Sequence, residues 1–224
     1  MLPKCTSIGS YAFTDYRSLT TVSIPACTSI EAHAFDKCDS LISVSAPVCL
    51  YIGNNAFYNC INLSFANFPA CTSISSFAFS NCTGLVSVNL PRCTIISDKA
   101  FSSCTSLATI DLPACTRIGA SVFNRCINLT TVSLPVCTSF GISAFISCYN
   151  LLSLYLLGSS IPSFGMGMFN STPISNYTTS TGGVYGSIFV RASMLASFKA
   201  ATSWKTYSAR MVGLTDAEIE ALSL

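Results

Sequence analysis

The chain has 224 residues, half of them apolar and only 9% charged, against roughly 25% charged in an ordinary soluble domain. Eleven Lys and Arg against nine Asp and Glu leave a formal charge of +2, which gives no footprint for nucleic acid or an anionic membrane surface. A single histidine, His33, excludes most His-based triads and every multi-histidine metal site.

From its first residues the chain repeats itself. Pro3, Pro25, Pro47, Pro69, Pro91, Pro113 and Pro135 lie 22 residues apart, and Phe13 to Phe145 and Leu19 to Leu151 keep the same period. The cysteines form two columns: Cys5, Cys27, Cys49, Cys71, Cys93, Cys115 and Cys137, and Cys38, Cys60, Cys82, Cys104, Cys126 and Cys148, with Tyr16 in the first slot of the second. No insertion or deletion disturbs the register from Pro3 to Leu156. Within a unit such as 113-PACTRIGASVFNRCINLTTVSL-134, the middle is too short for a real helix and is predicted to be a tight helical turn. The end alternates apolar and polar residues, a strand signal. Proline then closes the strand, where its missing N–H costs least. One unit cannot bury its own apolar face, so the copies must stack into a solenoid with a continuous core.

After Leu156 the register breaks. Residues 157–186 are Gly-, Ser- and Thr-rich and are expected to form an irregular last turn and linker between the solenoid (1–156) and a C-terminal cap (187–224). The cap is predicted as a strand at Ser187–Val190 and a helix over about 192–200. Met194, Leu195, Phe198, Trp204 and Tyr207 are then expected to cover the end of the core. Thr215-Asp216-Ala217-Glu218 has the form of a capping box for a short last helix.

Spacing also sorts the candidate sites. Zinc sites use short C-x₂₋₄-C pairs, whereas these cysteines alternate at intervals of 11. A disulfide along one column is disfavoured because stacked turns ~4.8 Å apart hold their Cβ atoms too far apart; bridges between columns are left open. The expectation is buried, reduced thiols, with no metal and no cofactor. The run 139-SFGISAFISCYNLLSLYLL-157 has the length and apolarity of a membrane span, but its apolar residues are the ordinary repeat columns, so no membrane insertion is expected. His33 shares its slot with Tyr11, Asn55, Phe77, Lys99, Ser121 and Ser143. That variety predicts a solvated, unconstrained position where His33→Ala is neutral, and an acid/base site with Glu31 or Asp36 is a remote alternative. With Leu19, Val22 and Ile24 inward, the alternate strand residues face out. The candidate partner-binding face is therefore Phe65, Asn67, Ser87, Asn89, Thr109, Asp111, Thr131, Ser133 and Tyr155.

The pattern C-T-S-I-G-x-x-A-F-x-x-C-x-x-L-x-x-V-x-L-P resembles the BspA-like branch of the leucine-rich-repeat family, with a 22-residue rather than 23-residue unit and cysteine where valine is usual. The segment from Gly186 to Leu214 is similar to the tail that follows such repeats, with Arg191 in place of proline and Phe189 and Phe198 in place of tyrosine. The resemblance implies an α/β leucine-rich-repeat solenoid, horseshoe-like, of short parallel strands and short helical turns in about seven repeats, capped at its C-terminus. It further implies a non-enzymatic recognition or adhesion module of a bacterial surface or secreted protein, binding a protein or glycan. The alternatives are a structural spacer or assembly domain and a cytoplasmic protein. The chain opens inside a repeat without a secretory signal, and end-to-end self-association through that uncapped end is a further expectation.

Overall fold

A computed structural model describes residues 4–175 and 185–222. Each repeat makes one coil containing two short strands, and successive coils lie on one another in parallel. The first strands, from Ser7–Ile8 to Ser163–Phe164, form one eight-stranded sheet. The second strands begin at Thr21–Ser23, Ser43–Ser45, Phe65–Asn67 and Ser87–Asn89, which form a four-stranded sheet. They continue at Thr109–Asp111, Thr131–Ser133, Ser153–Leu156, Ser187–Arg191 and Met211–Leu214, a five-stranded sheet. Registers advance by one repeat per coil, Ser7 opposite Ser29 and Ser29 opposite Tyr51. The apolar run 139–157 accordingly holds two strands and a turn, and no helix among the described residues is long and apolar enough to cross a membrane.

The middle of each coil differs from the helical turn predicted for it. It is a chain of β-turns in which alternate amides leave the coil to bond its neighbour. In the second coil Ala34 N–H donates to Glu31 and Cys38 N–H to Phe35, while the amides of His33, Phe35 and Lys37 donate to Asn54, Ala56 and Tyr58 of the next coil. His33 and Lys37 have φ of 58° and 57°, so the turns 31–34 and 35–38 are type II, with the left-handed residue third. The same two slots are left-handed in every coil from Tyr11 and Asp15 to Ser143 and Ser147. A helix would direct those amides back into its own turn, leaving no bonds between coils. Proline takes the second position of a further turn, as where Cys27 N–H donates to the Ile24 carbonyl, a place its fixed φ favours.

The core is a set of columns. Phe13, Phe35, Phe57, Phe79, Phe101, Phe123, Phe145 and Phe169 form a continuous ring stack, with centroids 5.1–6.0 Å apart and planes within 8° of parallel. All thirteen cysteines are free thiols, Cys5 half-buried and the others buried. Each column uses its S–H in its own way. Cys27 and Cys49 donate to carbonyls two residues on, Ser29 and Tyr51. Cys60, Cys82, Cys104, Cys126 and Cys148 donate to the phenylalanine carbonyl of the preceding coil at 2.9–3.2 Å. In the first column, where valine is usual in the family pattern, valine could fill the volume but not make the bond. The threonine after the first cysteine adds another inter-coil bond, as from Thr116 Oγ1 to the Thr94 carbonyl.

Beyond Leu156 the solenoid continues. Residues 157–175 complete an eighth coil that includes the strand Ser163–Phe164 and the buried Phe169, 24 residues after Phe145. Ser187–Arg191 pairs in parallel with Ser153–Leu156, and a strand absent from the sequence reading, Met211–Leu214, pairs with it in turn. A 3₁₀ turn at Ala192–Met194 and an α-helix at Leu195–Ala200 connect them. The indole of Trp204 is fully buried, meets Phe164 and Phe198 edge-on and donates Nε1–H to the Pro162 carbonyl at 2.7 Å. Tyr207 meets Phe169 edge-on at 5.0 Å and closes the phenylalanine stack. Thr215 and Glu218 form the reciprocal capping box of a helix at Asp216–Glu220.

Burial pushes the Cys71 and Cys137 thiols up to about 11 and those of Cys38, Cys49, Cys115 and Cys126 up to about 12, from an ordinary value of 9.0. These thiols stay protonated in the folded state at pH values where the unfolded chain has ionised them. Stability is therefore intact below pH 9 and is lost as pH rises from there, by about 1.4 kcal/mol per thiol per pH unit. A chemical-denaturation series from pH 7 to 10.5 should show a steep cooperative loss above pH 9. Thiol titration at pH 8 should find about one reactive group in the native protein and thirteen on unfolding without reductant. A flat pH profile, or disulfides in the native mass, would contradict this.

Candidate recognition surface

On the second strands the middle residue points into the core and the first and third point out, an alternation set by the pleat. The structure places the candidate residues in two parallel rows. One row passes through Ser43, Phe65 and Ser87 and resumes at Thr109, Thr131 and Ser153. The other passes through Ser45, Asn67 and Asn89 and resumes at Asp111, Ser133 and Tyr155. Phe65 is 44% exposed; Ser87, Asn89, Thr109 and Asp111 are exposed, and Asn67, Thr131 and Tyr155 half-buried. Ser133 is a correction: at 4% exposure it is sunk beside the much larger Tyr155 of the next coil. Two polar side chains order the first half of the second row. Asn89 Nδ2 donates to Asn67 Oδ1 at 2.8 Å, and Asn67 Nδ2 donates to Ser45 Oγ at 3.3 Å.

Two features of this surface were not visible in the sequence reading. Phe189 of the cap extends the second row, and its ring stacks on Tyr155 at 4.6 Å with planes 14° apart. The row is also interrupted. No backbone hydrogen bond joins Ser87–Asn89 to Thr109–Asp111 among the described residues, although every other neighbouring pair of second strands is laddered. In the coils before and after, the residue following the strand donates to the next coil, as Phe68 does to Asn89 and Leu112 to Ser133. Leu90 makes no such bond to Asp111. The seam opens into a cleft of about 240 Å³ whose lining includes Ser87, Val88, Asn89, Thr109, Ile110 and Asp111.

The histidine slot departs from the solvated, unconstrained position expected of it. Its backbone is left-handed in every coil, and the His33 side chain is only 27% exposed. Nδ1 lies 3.0 Å from Asp36 Oδ2, Nε2 lies 3.3 Å from Asn55 Nδ2, and the ring stacks on Tyr11 at 4.7 Å. The structure thus brings Asp36 to His33, while Glu31 makes no hydrogen bond or ion pair with it among the described residues. None of the described clefts is lined by His33, and no group of three or more metal-ligating side chains occurs among the described residues. Asp36 holds the ring within its own coil, and the contacts with Tyr11 and Asn55 fasten that coil to its two neighbours.

Residues 2–92 and 50–175 match the family described as BspA type Leucine rich repeat region, in six copies. Among solved structures, a leucine-rich-repeat protein of T. pallidum is 32% identical, with a TM-score of 0.65 over 68% of this chain and 76% of that one. A leucine-rich cell surface protein from Faecalibacterium prausnitzii is 25% identical, with a TM-score of 0.64 over 76% of this chain and 47% of that one. The chain therefore spans about half the length of the second relative. No curated protein matches the chain.

The His33 contacts carry an energetic expectation opposite to the neutral one. Asp36 Oδ1 is already buried without a hydrogen-bond partner, so His33→Ala would strip the carboxylate of its contact at Oδ2 as well. Leaving a buried acceptor unsatisfied costs about 1–3 kcal/mol. His33→Asn tolerates the left-handed backbone and keeps an N–H donor, so it should cost less. Urea unfolding of the two variants checks this, and an unchanged midpoint for His33→Ala would restore the unconstrained-slot reading.

Proposed function

Because the chain belongs to the family of BspA-type leucine-rich-repeat regions, we propose that it is a non-enzymatic recognition module that binds its partner through the outward rows of the second strands. Repeat domains of this kind serve as interaction or structural modules. The observation that carries the reading is a division of labour among the residues. Inward columns hold nearly the same residue in every coil, whereas the outward slots change from Thr and Ser to Phe65, Asn67, Asn89, Asp111 and Tyr155. Those side chains stand in two rows that continue across the seam between the four- and five-stranded sheets, and interface energy concentrates in such aromatic anchors. None of the described clefts is lined by His33 or Asp36, and their contacts with Tyr11 and Asn55 fit a structural role.

We place the module outside the cell or on its surface, on the strength of the resemblance and of the description of the F. prausnitzii relative as a cell surface protein. Free thiols in such number would suit a reducing compartment, and a cytoplasmic location is the alternative. Burial makes them compatible with an oxidising exterior, because it withholds the thiolate that reacts. A second reading, as a structural spacer or assembly unit, draws on the first coil. There Phe13, Leu19, Val22 and Ile24, with Phe35 of the second coil, line an apolar hollow of about 200 Å³, a surface suited to packing against a further apolar segment.

The test uses beads coated with the chain or with the triple variant Phe65→Ser, Asp111→Ser, Tyr155→Ser, washed over immobilised mucin, extracellular-matrix proteins and bacterial cell-wall glycans. The chain should retain beads on at least one surface, and the folded triple variant should lose at least tenfold of that retention. Equal retention of both, or retention of neither, would overturn the strand-face reading.

A further inference from the structure

The charge of the outward rows narrows the chemistry of the partner. Over the seven second strands from Thr21–Ser23 to Ser153–Leu156, Asp111 is the one charged side chain. The rest of the outward surface is hydroxyl, amide or apolar. A protein partner presents roughly a quarter of its residues as charges, and docking would desolvate them against a surface with almost nothing to pair them. Burying unpaired charge is among the most costly things an interface can do.

The amide and the single carboxylate at the seam converge instead on a ligand rich in hydroxyls. Asn89 commits its Nδ2 to Asn67, which leaves Asn89 Oδ1 as an acceptor at the seam. Across the cleft the Asp111 carboxylate is exposed and makes no hydrogen bond or ion pair among the described residues. A peptide strand cannot enter this seam to restore the ladder. On the other sheet the same two coils remain bonded through Ser73–Ile74 and Ile95–Ile96, and an inserted strand would have to force them about two spacings of ~4.8 Å apart.

Flat apolar surfaces bracket the cleft. Phe65 lies on the N-terminal side and Tyr155 on the other, four coil steps apart, or about 19 Å at ~4.8 Å per step. One face of the Tyr155 ring is taken by Phe189. Its other face looks back along the row toward the small, sunken Ser133 and on to Asp111. Aromatic faces of this kind hold the apolar C–H face of a pyranose ring, and a β-linked pyranose chain advances by nearly the rise of one coil.

We propose that this surface binds a linear, uncharged oligosaccharide laid along the solenoid axis. One ring packs against Phe65, one against Tyr155, and the hydroxyls of an intervening ring donate to Asp111 and Asn89 at the seam. The proposal rests on the strand-face reading above and adds the chemical class of the ligand.

Calorimetric titration of the full chain with cellohexaose, xylohexaose, mannohexaose and laminarihexaose, with hexagalacturonate and a heparin hexasaccharide as charged controls, tests it. At least one neutral hexamer should bind, with an affinity that changes less than twofold between 50 and 500 mM NaCl, since no charge pairs are screened. Asp111→Ala should weaken that binding at least tenfold without shifting the melting temperature, Tyr155→Ala should weaken it at least tenfold while the variant still unfolds cooperatively at a somewhat lower temperature, and Thr21→Ala should leave it unchanged. No binding by any neutral hexamer, or preferential binding of a charged one that salt abolishes, overturns the proposal. If the bead assay succeeds while every neutral hexamer fails, the ligand class is wrong and the strand-face reading stands. If a neutral hexamer binds but neither variant weakens it, both are wrong.

Discussion

Each coil must superimpose on the one before it, and that requirement governs the rest of the molecule. Nearly every backbone amide of the repeat middle that is not closing a turn donates to an adjacent coil. Side chains reinforce the arrangement with threonine hydroxyls, buried thiols and a stack of phenylalanine rings from Phe13 to Phe169. Bonds of this kind hold the strands and turns in register, hence the unbroken 22-residue period from Pro3 to Leu156. The two extra residues of the last coil fall between the strands Ser153–Leu156 and Ser163–Phe164, where they leave Phe169 stacked on Phe145. Close approach also selects small residues: a Cβ at Gly141 would sit 2.4 Å from the backbone of Gly119 and Ala120 in the coil beneath.

Much of this was legible in the sequence because period and burial coincide. The apolar columns, the inward and outward strand slots, the cap strand at Ser187 and the capping box at Thr215 each have a local signal that the structure follows. The turns were not legible. Left-handed slots usually advertise themselves with glycine, but here they are held by Tyr11, His33, Phe77, Lys99 and Ser143, so variety was mistaken for freedom. Inter-coil hydrogen bonds supply the compensation that holds them in that conformation. The seam beside Asp111 escaped for a different reason. Its strands carry the same alternation as their neighbours, and nothing in Val88 or Ile110 marks a broken ladder. Phe189 escaped because it belongs to the cap, outside the repeat, yet its ring completes the Tyr155 platform.

The same constraint accounts for where function can reside. A coil has only a few side chains that stand outside the core, and on the second strands these line up in register by construction. A row of such positions is a surface whose composition can change without disturbing the fold. Phe65, the Asn67–Asn89 pair, Asp111 and the Tyr155–Phe189 stack are the departures from a Ser/Thr background. The near absence of charge on those rows sets them apart from an ordinary protein-binding surface.

The residues that build the solenoid and those proposed to face a partner form separate sets. A saturation scan of the whole chain, with folding read by protease resistance, measures this directly. The account predicts that substitutions at Phe79, Cys82, Leu85 and their equivalents in other coils are broadly destructive, whereas Phe65, Asn67, Ser87, Asn89, Thr109, Asp111 and Thr131 accept most polar replacements. Sensitivity at those outward positions as great as at Phe79 would contradict it.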